Sequence, residues 1–305
     1  MSASGGTKAV IAALAANLSI AVMKFLAYLL TSSSSMLAES IHSVADSGNQ
    51  VLLLLGGKAA KRQASPQHPF GYGRERYVYG FIVAVVLFSV GGLFALYEAY
   101  HKWHDPHGID DWQWVPVAVL VGAIIAEGFS FRTAIHEANQ VRGQQSHLRF
   151  IRTSKAPELP VILLEDFGAL VGLVCALFGV SMTLATGDGR WDAVGTAAIG
   201  VLLVVIAIVL AIETKSLLLG ESATREHVRK IEDAIVADGS TGIIHLRTMH
   251  LGPDELLVAV KVSVARGDTG ADIASAIDAT ERRIRDAVPI TCVIYVEPDI
   301  RRADR

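Results

Sequence analysis

Two stretches decide what class of chain this is: ILLEDFGALVGLVCALFGVSMTL within residues 160–184, and AVGTAAIGVLLVVIAIVLAI within 193–217. A helix that crosses a bilayer needs about 20 mostly apolar residues. Both stretches satisfy that, and four further segments qualify, at roughly 9–30, 36–57, 78–99 and 114–135. The first carries Asn17 and Lys24. The second carries Glu39, His42, Asp46, Asn49 and Gln50, which makes both marginal by hydropathy alone. Charge is distributed to match: residues 1–218 hold 30 of the 57 charged side chains, and the much shorter 219–305 holds 27. The expected division is a six-helix transmembrane domain over 1–218 and a cytoplasmic domain over 219–305. A net charge of −3 gives no reason to expect nucleic acid as a partner.

Lys and Arg collect on the cytoplasmic side of a membrane protein. The loop between the second and third segments holds Lys58, Lys61, Arg62, Arg74 and Arg76; that between the fourth and fifth holds Arg132, Arg142, Arg149, Arg152 and Lys155. The opposite side holds only Lys102 and Arg190. Both termini are therefore expected in the cytoplasm, with the protein in the plasma (inner) membrane. The leading MSASGGTK is too short for a cleavable signal, so the first helix is expected to target the chain itself. Cys175, mid-helix, and Cys292, in the C-terminal part, are expected as buried apolar residues without a disulfide.

Beyond the membrane segments, 224–236 has helical spacing with Val228, Ile231 and Ile235 on one face. Alternating runs follow at 243–250 and 256–264 around a Gly252-Pro253-Asp254 turn, then a helix at 270–287 and a strand at 290–296. In the second run Leu256, Val258, Val260, Val262 and Val264 share a face. This αββαβ order predicts a small ferredoxin-like sheet with helices on one side, too small to hold a large core and helped by self-association. Arg301–Arg305 reads as a solvated tail.

Ionised side chains inside a membrane are expensive, about 2.5–3.5 kcal/mol at the helix centre on insertion scales, and mark function. In the second helix Glu39, His42 and Asp46 fall on one face, and His42 and Asp46 stand one turn apart, as two ligands of one metal ion would. The fifth helix offers Glu165 and Asp166, with Gly168 and Gly172 in a G-x-x-x-G that permits close approach. Bringing these two helices together would place His42, Asp46 and Asp166 around one centre. One imidazole with carboxylates suits Zn²⁺, with Fe²⁺, Mn²⁺, Co²⁺ or Cd²⁺ as alternatives. Titratable ligands also exchange protons with metal, His42 being the natural carrier. Lys24 and Asn17 are expected to pair with a carboxylate or cap a polar path. His101, His104 and His107 with Asp105, Asp110 and Asp111 form an outer-loop cluster, expected to be solvated. His136-Glu137 opens an H-E-x-x pattern, but Gln140 ends it, and no nucleotide motif or enzyme cofactor site is visible.

These residues lie in stretches that resemble the cation diffusion facilitator family of divalent-metal transporters: NLSIAVMKF (17–25), SSSSMLAESIHSVADSGNQVLLLLG (32–56), HPFGYGRERY (68–77), LLEDFGALVGL (163–173), KSLLLGESA (215–223) and YVEPD (295–299). The resemblance implies six helices, a cytoplasmic ferredoxin-like domain, a homodimer in the lipid bilayer, and metal–proton antiport out of the cytoplasm. It also implies a site of two positions four apart in each of helices two and five. His42 and Asp46 match the first pair. Asp166 matches one of the second pair and Ile162, which cannot coordinate, the other. Glu165 is the candidate substitute, though one residue along a helix is a rotation of about 100°; water is the alternative. The LLED pattern is similar to the branch that includes the mitochondrial zinc transporter. In the loop before the third helix His68 is kept, but Tyr72 stands at an expected ligand position. With only His227, His245 and His250, plus Glu297 and Asp299, the cytoplasmic domain is expected to dimerise with weak or absent metal regulation. A membrane metal sensor or scaffold that moves nothing is the rival reading, and an intramembrane metallohydrolase a remote one; no enzyme activity is expected.

Overall fold

The structure, a computed structural model, describes residues 3–109, 112–237 and 242–300. Met1 and Ser2 of the leading octapeptide, Asp110 and Asp111 of the outer-loop cluster, and the Arg301–Arg305 tail lie outside the described residues. The chain is mostly helical, with one small sheet near its end, and divides into two compact units: Met1–Gly56 with Val78–Thr214, and Gly57–Tyr77 with Lys215–Arg305.

The first unit is built from long helices: α1 (Ala3–Thr31), α2 (Ser34–Ala59), α3 (Glu75–Val86) running through a π-helical stretch (Leu87–Leu93) into α4 (Phe94–His104), α5 (Trp114–Val141), a short α6 (His147–Thr153), α7 (Glu158–Thr186) and α8 (Arg190–Leu219). Among the described residues, four helices are long and apolar enough to cross a membrane: Glu75–His104, Trp114–Val141, Glu158–Thr186 and Arg190–Leu219. The 30 residues of Glu75–His104 span about 45 Å at 1.5 Å per residue. α1 and α2, at 29 and 26 residues, match these in length, and α1 carries its own apolar stretch, Asn17–Thr31.

Residues from every long helix meet in a common apolar core, among them Ala27, Met36, Val83, Leu120, Leu173 and Leu203. Leu18, Val22, Leu26, Phe129, Val201 and Ile208 instead point outward and are exposed. An apolar exterior around an apolar core is what a lipid-facing bundle requires, since water would penalise such a surface. α7 stops at Gly187, whose φ of 74° is the left-handed cap that glycine adopts without strain.

In the second unit the order is α9 (Arg225–Val236), β1 (Gly242–Gly252), β2 (Glu255–Ser263), α10 (Gly270–Ala287) and β3 (Thr291–Asp299). The sheet order is β1-β2-β3, with β1 antiparallel and β3 parallel to β2. β2 alternates as its sequence predicts: Leu256, Val258, Val260 and Val262 are buried against Ile231 and Ile235 of α9 and Ile284 of α10. Val264 falls beyond the strand, where its N–H donates to the Asp299 carbonyl. Thr224 caps α9, and Thr269 with Asp272 forms a capping box on α10, whose hydrogen bonds hold the Asp272 carboxyl below its usual pKa.

The loop between α2 and α3 belongs to this unit. Arg62 reaches Glu75 (2.8 Å) and lies 4.1 Å over the Tyr72 ring, and Arg76 bonds Asp254 at 2.7 Å. Cys175 and Cys292 are both free thiols.

Candidate metal centre

α2 has to present polar residues without opening its ends to lipid, and its N-terminus shows how. Ser33, Ser34 and Ser35 are buried, and the turn before them puts Ser32 at φ 52°. The Asp192 carboxylate, from the first turn of α8, accepts the Ser34 N–H at 2.7 Å, the Ser35 N–H at 3.4 Å and the Ser33 hydroxyl at 3.0 Å. A negative group thus sits where the helix macrodipole is positive and satisfies donors that would otherwise be orphaned.

Below this cap the polar face of α2 runs Glu39, His42, Ser43, Asp46 and Asn49. His42 is buried, and its Nε2 lies 3.4 Å from Asp46 Oδ2. That contact makes no hydrogen bond, and among the described residues both ring nitrogens of His42 and the Asp46 Oδ1 atom are buried without hydrogen-bond partners. Gly91, in the π-helical stretch, backs the ring: a Cβ there would stand 4.0 Å from His42 Nδ1. π-Helical turns are rare and recur at functional sites.

The sequence-derived residues of α7 take different neighbours. Glu165 is buried and accepts a 2.7 Å hydrogen bond from Asn49 Nδ2, one face-turn past Asp46 on α2. Asp166 accepts from the Ser130 hydroxyl of α5 at 2.9 Å. Ile162 packs into the apolar core. The structure thus brings His42 to Asp46 and Glu165 onto the same face of α2, and ties Asp166 to α5. Among the described residues no three His, Cys, Asp or Glu side chains stand ready to share an ion. Asp46 nevertheless lies within electrostatic reach of Glu165, Glu127 and Asp166. Acidic groups gathered in a low-dielectric core repel one another when ionised.

G-x-x-x-G works on two helices at once. Gly168 faces Ile206 of α8, and Gly172 faces Glu39 of α2, whose Oε1 would be 2.8 Å from a Cβ there. Lys24 pairs with a carboxylate, as its position in an apolar helix predicts; the partner is Glu39, at 3.0 Å. Asn49 and Ser130 are the site residues that sequence reasoning missed. Asn49 was available, since it continues the His42–Asp46 face at helical spacing, whereas nothing in the sequence ties Ser130 to Asp166.

The other candidates are held elsewhere. His107 lies 3.5 Å from Asp105, both well exposed, and His104 bonds the Tyr100 carbonyl. His68 stacks on Tyr72 with ring centroids 4.6 Å apart. His250 is buried against the Gly252 carbonyl, and Glu297 and Asp299 both engage Lys261, at 2.9 and 3.0 Å.

Comparison with known proteins agrees with the chemistry of the site. Residues 10–219 match the model of the cation efflux transmembrane domain. The chain is 32% identical over 244 residues to the mitochondrial proton-coupled zinc antiporter SLC30A9 of Mus musculus, covering 79% of this chain and 43% of that protein. It is 29% identical over 229 residues to metal tolerance protein C4 of Arabidopsis thaliana, covering 73% and 49%. With magnetosome protein MamM of Paramagnetospirillum magneticum it shares 22% over 250 residues, 79% and 72% of the two chains. It therefore spans less than half the length of the first two relatives. The family match runs from the first helix to the end of α8 and takes in every residue of the α2 and α7 site; the chain is an integral membrane protein of the cation efflux family of metal transporters.

Proposed function

We propose that the protein exports a divalent metal ion, Zn²⁺ foremost, from the cytoplasm in exchange for protons. The observation that carries this reading is the His42–Asp46 pair, one turn apart, with the imidazole buried and its lone pairs uncommitted, within electrostatic reach of the acidic Glu165 and Asp166 of α7. His42, Asp46 and Asp166 take the metal from the cytoplasmic side, and Glu165 completes the set on release from Asn49, or water does. The bundle then rocks to expose the ion on the far side, where protons displace it from ligands that bind metal only when deprotonated. The zinc and proton coupling in the name of the SLC30A9 relative supports both the ion and the exchange.

Six crossings support this cycle. α1 turns Leu18, Val22, Leu26 and Leu29 outward, and α2 carries the site, so both belong in the bilayer with the four more apolar helices. On this reading 1–218 is the transport domain and 219–305 a cytoplasmic ferredoxin-like domain that joins two copies. The ten basic residues in the loops after the second and fourth helices support an orientation with both termini in the cytoplasm, and on this reading the membrane is the plasma (inner) membrane.

The test is metal-driven proton flux in proteoliposomes. Asp46→Ala or Asp166→Ala should abolish it, and a panel of Zn²⁺, Fe²⁺, Mn²⁺, Co²⁺ and Cd²⁺ should rank Zn²⁺ first. Unchanged flux in both variants overturns the reading. Tight Zn²⁺ binding with no flux in oriented vesicles makes the protein a sensor or scaffold instead.

A further inference from the structure

Lys24 is fully buried in α1, and its ammonium donates to Glu39 Oε2 at 3.0 Å and to the Ser43 hydroxyl at 2.8 Å. Glu39 stands one turn before His42 on α2, and Ser43 immediately follows His42. The second oxygen of Glu39 is buried without a hydrogen-bond partner, in space that Gly172 of α7 leaves for it. The charge of Lys24 reaches beyond this pair to His42, Asp46 and Glu127. Among the described residues, the charged neighbours that act on Asp46 are the basic Lys24 and the acidic Glu165, Glu127 and Asp166.

An ion pair buried this deeply is a poor device for stability, because the desolvation of both charges offsets their attraction and apolar residues of like volume serve as well. Its placement gives it another use. A divalent ion arriving at His42 and Asp46 meets a fixed positive charge one helical turn away, which opposes binding, and Glu39 limits how strongly it does so. A carrier needs that restraint, since a site built of carboxylates alone in a low-dielectric core would hold its ion too tightly to let it go.

We infer that the Lys24–Glu39 pair sets the affinity of the His42–Asp46 centre for its metal, with Lys24 as a resident counter-cation that never touches the ion and Glu39 as its moderator. This rests on the reading of His42 and Asp46 as metal ligands.

The experiment is Zn²⁺ titration calorimetry on the purified full-length protein, with flux in proteoliposomes alongside. Charge logic fixes the signs. Lys24→Met removes the positive charge that opposes the metal and tightens Zn²⁺ binding, lowering the flux KM together with the maximal rate as release slows. Glu39→Gln leaves Lys24 as an uncompensated cation and weakens binding. Each shift falls within the roughly 5–150-fold range of couplings between neighbouring sites, and the double variant returns affinity toward the starting value. A pair that merely holds α1 to α2 would instead impair binding in both single variants. Shifts of the same sign, or shifts in neither beyond about twofold, overturn the inference. Should Lys24→Met fail to fold, Glu39→Gln decides alone: weaker binding supports the inference, and unchanged or tighter binding refutes it. Asp46→Asn separates the two levels. If it abolishes Zn²⁺ binding, the sign pattern judges the inference by itself; if it binds as the unaltered protein does, the metal reading falls and the inference with it.

Discussion

Replacing Asp192 with alanine tests the claim that α2 is held by a cap supplied from another helix. The carboxylate is fully buried, and four donors converge on it: Ser34 N at 2.7 Å and Ser34 Oγ at 3.2 Å on Oδ2, Ser33 Oγ at 3.0 Å and Ser35 N at 3.4 Å on Oδ1. The Ser34 hydroxyl keeps Thr196 as a neighbour at 3.0 Å, so its loss is partly made good. The backbone N–H groups have no such alternative. Leaving a buried donor unsatisfied costs about 1–3 kcal/mol, and more when the lost acceptor is charged. Two N–H groups and the Ser33 hydroxyl therefore put Asp192→Ala at about 3–9 kcal/mol. Asparagine presents one oxygen in place of two and should recover about half of that. For a chain of this size each kcal/mol moves the melting midpoint by about 2–4 °C, so Asp192→Ala should lower the apparent Tm of the detergent-solubilised protein by at least about 6 °C, with Asp192→Asn between. A fall of under about 2 °C for the alanine variant refutes the cap, because the α2 N-terminus would then be satisfied without it.

Three further outcomes follow from other contacts. Asn49→Ala removes the 2.7 Å donor to Glu165 Oε1 and should cost about 1–3 kcal/mol in apparent stability while altering Zn²⁺ affinity; Asn49→Asp should be worse, since it sets two buried carboxylates face to face. Gly172→Ala would bring a Cβ within 2.8 Å of Glu39 Oε1, and the displaced carboxylate should destabilise the bundle by about 1–3 kcal/mol, read as a lower apparent Tm with the C-terminal unit still resistant to protease. In the C-terminal unit the Asp272 carboxyl is held below its ordinary pKa by Thr269, so its contribution is present above the unfolded-state pKa near 4 and lost as pH falls through the lower folded value. Thr269→Ala should remove that acid sensitivity and loosen α10, measured as faster amide exchange in its first turn.

The sequence carried the identity of the polar residues and the elements they lie on, because each signal is local. Four of the six apolar runs of bilayer length and the alternation of β2 from Leu256 to Val262 depend on spacing within one segment, and among the described residues they are found where the spacing puts them. The same holds for the His42–Asp46 pair, which needs nothing but a helix. Contacts between helices are another matter. Hydropathy says that Lys24 must find a carboxylate, but not that Glu39 rather than Asp46 receives it; that choice is made by the rotation of α1 against α2. The pairing of Asp192 with the start of α2 joins residues more than 150 positions apart, and no periodicity reaches so far. The α7 carboxylates show the consequence most clearly. Adjacent in sequence, Glu165 and Asp166 point about 100° apart around the helix, so one meets Asn49 of α2 and the other Ser130 of α5. On the proposed reading, a single metal ion held with His42 and Asp46 would recruit both only if α7 turned or shifted against its neighbours. Binding and helix movement would then be one event, which is the coupling an alternating-access carrier requires.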